Sequence, residues 1–125
     1  MPPRYGSVYL SARHMRGPEL LAARERFVAA GVQVTARWLD GTDLPGGIGP
    51  ASRQDIERCD AYVLLGDERG DSGHRHVEFG MAMALGKPTV VMAPEAENHW
   101  QRLPGVTVVP DWESAYILIG GGSES

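Results

Sequence analysis

The chain has 125 residues with 42% hydrophobic and 22% charged content, the balance of a soluble globular protein and a length that suits one core rather than two. Its net charge of −4 argues against a broad nucleic-acid-binding surface, and no apolar run approaches the roughly 20 residues that span a bilayer. The lone cysteine, Cys59, excludes an internal disulfide and a zinc-finger framework; with an amino-terminal stretch that lacks an apolar signal core, it leads us to expect a cytoplasmic protein.

In chain order, residues 8–11 form a short apolar run with β-branched and aromatic character, which predicts the first strand. Residues 19–30 place Leu20, Leu21, Phe27 and Val28 at helical spacing, with Pro18 suited to the first turn and Gly31 to the exit. Residues 32–38 alternate as a second strand would. Residues 40–50 then carry four glycines and two prolines in eleven positions, a loop of the long kind that is often functional. Ser52 is placed to cap a short helix running through Asp55, Ile56 and Arg58. Residues 61–65 are almost wholly apolar, as a strand covered on both faces should be.

The stretch Gly73-His74-Arg75-His76-Val77-Glu78-Phe79-Gly80 reads as a glycine-rich loop entering a helix, with Glu78 in its first turn. Gly86 suits the helix exit and Pro88 bars its continuation. Residues 89–93 and 106–109 are expected to be the fourth and fifth strands, and residues 112–119 a terminal helix. Residues 1–119 are thus expected to form a single domain, with residues 120–125 a disordered tail. Strands separated by helices predict an α/β fold: a doubly wound, flavodoxin/Rossmann-like, five-stranded and mainly parallel sheet with helices on both faces. Such sheets bind ligands outside the carboxyl ends of their strands, where the strand order reverses. The loops at residues 11–16, 66–76 and 94–99 are therefore expected to frame the site.

Three segments carry the chemistry. Ser11 and Arg13 leave the first strand at its carboxyl end, where a hydroxyl and a guanidinium suit a sugar or a phosphate. Taken alone, Arg13 reads equally as a solvated loop residue, and Tyr9 either as core or as a phenol aimed at the pocket. Asp60 stands directly before the third strand, where a turn aspartate is also common. Between Gly66 and Glu78 lie Asp67, Glu68, Asp71, His74 and His76, and clustered carboxylates can supply the nucleophile and acid of glycosidic cleavage. No second His/Cys pair stands at ligand spacing, so no metal is expected, nor any cofactor: a Walker loop, a zinc-protease signature and a GxSxG elbow are all absent from the sequence.

In this order, Tyr9-Leu10-Ser11-Ala12-Arg13, then Asp55 and Asp60-Ala61-Tyr62-Val63, then Gly73 to Gly80 with Ala82, Ala84 and Gly86-Lys87-Pro88, the chain resembles the nucleoside 2-deoxyribosyltransferase superfamily, over roughly residues 7–92. That superfamily includes the 2'-deoxynucleoside 5'-monophosphate N-glycosidases. The resemblance implies that Glu78 is a nucleophile attacking C1' of the sugar, that Asp60 positions the sugar and nucleophile, and that Tyr9 orients Glu78. It implies that Asp71 protonates the leaving base, although Asp71 lies seven residues before Glu78 where six is the transferase spacing. Ser11 and Arg13 match the Ser-x-Arg of the monophosphate-cleaving branch; with Gly73 and His76 they are expected to bind substrate. The expected partners are a nucleoside or nucleotide and a free nucleobase, with no duplex nucleic acid and no membrane. A neighbouring subunit is expected to complete the pocket in a homodimer or larger homo-oligomer. The resemblance implies transfer of the deoxyribosyl group to another nucleobase through a covalent intermediate; hydrolysis of a 2'-deoxynucleoside 5'-monophosphate and a non-enzymatic nucleotide-sensing module on the same scaffold are the alternatives.

Overall fold

The computed structural model describes residues 3–12, 16–41, 43–44, 46–66, 74–92 and 103–120. Its strands are β1 (Ser7–Ser11), β2 (Gln33–Val34), β3 (Ala61–Leu65), β4 (Thr89–Met92) and β5 (Val106–Val109). Its helices are α1 (Gly17–Ala29), α2 (Ile48–Arg58), α3 (His74–Ala84) and α4 (Trp112–Gly120). The five strands pair in the order β2-β1-β3-β4-β5, every neighbour parallel, as the alternation of strands and helices predicts. Strand order reverses between β1 and β3, and sheets of this class bind their ligands outside the carboxyl ends of the strands at such a reversal.

The three central strands are buried at every position, which explains their unbroken apolar sequences. Helices α1 and α4 pack together through Phe27 against Tyr116, edge to face with centroids 4.9 Å apart. Helices α2 and α3 form a second contacting pair. Because side chains alternate along a strand, Tyr9 and Ser11 of β1 point to one face and Leu10 to the other. The Tyr9 hydroxyl meets residues of α2 and α3, which fixes that face as theirs.

Three elements depart from the sequence reading. The second strand does not run to Trp38; it stops at Val34, and Arg37–Asp40 form a 3-10 turn. The cause is Asp55, whose Oδ2 accepts the Arg37 backbone N–H at 2.9 Å and so draws the chain off the sheet edge. That turn buries Trp38 and Leu39, and Trp38 Nε1 donates to the Leu10 carbonyl at 3.0 Å. Helix α2 begins at Ile48, inside the expected loop, with Gly47 as its first cap residue at φ 94°. Pro50 is tolerated there because a first-turn N–H has no helical partner to lose. Ser52 therefore caps nothing and sits inside the helix on its buried face. Finally, α3 begins at His74, which puts Glu78 in the second turn rather than the first.

The end of α3 follows the sequence reading. Gly86, at φ 71°, takes the left-handed conformation that a side chain resists. Its N–H donates to the Met83 carbonyl and that of Lys87 to the Ala82 carbonyl, the paired closure of a Schellman turn. Among the described residues, no helix is long and apolar enough to cross a membrane.

Candidate active site

Four side chains from three elements converge beside the carboxyl end of β1. Tyr9 and Ser11 come from the strand, Ser52 from α2 and Glu78 from α3. Phe79 and Ala82 turn the buried face of α3 toward the sheet, and Glu78, adjacent to Phe79, is left half-buried at the edge of that face. Phe79 meets Tyr62 edge to face at 6.5 Å, while Tyr62 stacks on its β-register partner Tyr9 at 5.9 Å and 9°. This aromatic layer sets the depth of α3 over the strands, and hence the place of Glu78.

Both carboxylate oxygens of Glu78 are held. Tyr9 Oη donates to Oε2 at 2.7 Å and Ser11 Oγ donates to Oε1 at 2.7 Å. Short O–H donors of this kind suit an anionic acceptor. Tyr9 and Ser11 are both fully buried, so neither donor can be exchanged for bulk water without opening the sheet. Burial first, and then the facing Glu78 charge, raises the Tyr9 phenol far above its usual value; the Ser52 hydroxyl pulls the other way. Tyr9 thus keeps its proton at and well above neutral pH and acts there as a donor. The carboxylate is fixed in rotation, and one further lone pair on each oxygen has no partner among the described residues.

The other expected site residues divide into two groups. Asp60 is exposed at the amino end of β3, and its N–H donates to the Ser7 carbonyl at 3.1 Å. It is therefore level with Ser7, four residues from Ser11, which is about 13 Å at 3.3 Å per residue. The expectation that Asp60 positions the nucleophile is corrected by that placement: the residue lies at the wrong end of the sheet. His76 is exposed on α3, two residues and hence about 200° around the helix from Glu78, so it does not face the carboxylate. Arg13, Asp71 and Gly73, together with Asp67 and Glu68, lie outside the described residues.

Asp55 is the buried carboxylate of this region. It is 2% exposed, and Arg37 supplies its backbone N–H to Oδ2 and its Nε to Oδ1, both at 2.9 Å. Both of its carboxylate oxygens are bonded to Arg37 of the 3-10 turn, so it braces the backbone under α2 rather than entering the Glu78 group. Ser52 is the member of the group that the sequence reading missed. The available signal was its spacing to Asp55 and Ile56, three and four residues on, which puts all three on one helix face once the helix start is moved to Ile48.

No protein-family model matches the chain, and no curated protein does. Solved structures do resemble it. The solution structure of BlsM is 23% identical, with a TM-score of 0.69 over 94% of this chain and 88% of that one. A 2-deoxyribosyltransferase from the psychrotolerant bacterium Bacillus psychrosaccharolyticus is 16% identical, with a TM-score of 0.68 over 87% and 89%. The CMP N-glycosidase BcmB of Clostridium botulinum is 21% identical, with a TM-score of 0.55 over 82% and 87%. At these identities the likeness establishes a shared fold, the flavodoxin-like sheet that the sequence predicts.

Proposed function

We propose that the chain is an enzyme of the nucleoside 2-deoxyribosyltransferase superfamily that cleaves the N-glycosidic bond of a 2'-deoxynucleoside and passes the sugar to another nucleobase. The observation that carries this reading is the Glu78 carboxylate, held at both oxygens by buried hydroxyls beside the strand-order reversal. A carboxylate so fixed, with lone pairs to spare, suits in-line attack at C1'. In the first step a Glu78 oxygen bonds to C1' as the C1'–N bond breaks, and the base leaves with that electron pair and a proton. Asp71 is the proposed source of the proton. In the second step an incoming base nitrogen attacks C1' and gives its proton to Asp71, the ester bond breaks to return the Glu78 carboxylate, and the sugar configuration is retained.

Tyr9 and Ser11 have a role in both steps. Their O–H groups hold the carboxylate in register with the sugar. Once the ester forms, its carbonyl oxygen still has a donor facing it, which eases the return of charge when the ester breaks. Arg13 and Gly73 are proposed to meet substrate beside this group, in an assembly of at least two subunits. The reaction so written needs no cofactor.

A second reading, hydrolysis of a nucleoside 5'-monophosphate, is favoured by the structural likeness to a CMP N-glycosidase and by the Ser11-x-Arg13 pair. The two are separated by chromatography after incubation with a 2'-deoxynucleoside, with and without a second free base, and then with monophosphates. A new nucleoside that fails to form with Glu78→Ala supports transfer. Free base and sugar alone support hydrolysis. No turnover of either substrate class would leave the nucleotide-sensing alternative standing.

A further inference from the structure

Ser52 lies on the buried face of α2, 5% exposed, with its Oγ 3.3 Å from Tyr9 Oη. A phenol has a single proton to give. Tyr9 Oη is 2.7 Å from Glu78 Oε2, and an ionised carboxylate has no proton to return. If Tyr9 instead donated to Ser52, two lone-pair-bearing oxygens would face each other at 2.7 Å with nothing between them. The phenolic proton therefore belongs to the Glu78 bond, and Tyr9 Oη meets Ser52 as an acceptor.

We infer that Ser52 is a positioning residue of this site: its hydroxyl donates to Tyr9 Oη and so holds the phenolic O–H on Glu78 Oε2, a relay from Ser52 through Tyr9 to Glu78. The phenolic O–H has two in-plane orientations, and Ser52 occupies one of them as a donor, which leaves the proton only the other. The relay links α2, β1 and α3, so the direction of the Glu78 hydrogen bond is set by a helix that does not itself touch the carboxylate. Each bond in such a chain polarises the next, which strengthens the terminal bond to the carboxylate. The kinetic consequence rests on Glu78 acting as proposed; the relay itself does not.

The test compares Ser52→Thr, which keeps the hydroxyl, with Ser52→Val, which has the same shape without it. Protein labelled with carbon-13 at tyrosine Cζ reports the Tyr9 hydroxyl directly, its signal assigned by its loss in Tyr9→Phe. We expect Ser52→Val to move that resonance and to speed exchange of the hydroxyl hydrogen, and Ser52→Thr to leave both near wild type. In turnover, Ser52→Val should lower kcat about threefold to tenfold with KM unchanged, the scale of one hydrogen bond. Added to Tyr9→Phe, it should lower kcat no further. An unmoved Cζ resonance, or an equal loss of kcat with and without the Tyr9 hydroxyl, would overturn the inference. If the wild-type protein turns over no nucleoside or nucleotide, the proposed function fails and the resonance alone decides the relay.

Discussion

Replacing Tyr9 by Phe removes one oxygen and leaves the ring stacked on Tyr62, so its effect isolates the hydrogen bond to Glu78. A bond of 2.7 Å to a charged acceptor is worth about 1.5–3 kcal/mol, and Ser11 still holds the other carboxylate oxygen. The expected loss is therefore about 10- to 100-fold in kcat, with KM nearly unchanged, because the bond orients the nucleophile rather than gripping the substrate. The melting temperature should fall as well, because the same bond stabilises the fold; the nearly conserved buried volume adds little beyond that loss.

The same variant carries a pH signature. Burial raises the folded-state phenol above its unfolded value of about 10, so the unfolded chain loses this proton first. The stability linked to Tyr9 is complete below pH ~10 and falls by about 1.4 kcal/mol per pH unit above it. Tyr9→Phe should thus lose less stability than wild type as pH rises above ~10, while turning over more slowly. A loss of kcat below threefold, with the alkaline midpoint unchanged, would refute the reasoning from this bond.

Two further outcomes follow from groups outside the carboxylate. Asp55→Ala strips the Arg37 backbone N–H and guanidinium of their acceptor; Arg37 is partly solvated and can recover water, so the expected destabilisation is about 2 kcal/mol, read from urea unfolding. Cys59 is 1% exposed, its thiol donates to the Ile56 carbonyl, and burial pushes it up to about 11, so thiol reagents at neutral pH should modify it only after unfolding.

The fold was legible because its signals are local and redundant. Residues 8–11, 61–65 and 89–92 are apolar at nearly every position, which few structures other than a covered parallel strand accommodate. Gly86 and Pro88 likewise mark the end of α3 through backbone chemistry alone. What was not legible depends on contacts between distant segments. The second strand ends because Asp55 captures the Arg37 N–H, a tie across 18 residues that no periodicity of residues 32–38 encodes. The glycines and prolines of residues 40–50 conceal a helix start, and with it the fact that Ser52 faces inward.

The site divides along the same line. Glu78, Tyr9 and Ser11 come together because β1 and β3 pair side by side in parallel, and α3, the helix after β3, lies over the carboxyl end of β1. Asp60 looked equivalent because it too borders a strand, but it borders the amino end, and in a parallel sheet the two ends face opposite edges. A one-dimensional reading weighs an aspartate beside a strand without asking which end it guards.

The most direct measurement of the central claim is peptide mass mapping of protein acid-quenched during turnover of a 2'-deoxynucleoside or its 5'-monophosphate. A deoxyribosyl adduct is expected on the peptide containing Glu78, diminished in Tyr9→Phe and absent in Glu78→Ala. Turnover that proceeds with no adduct on that peptide and survives Glu78→Ala would contradict that claim.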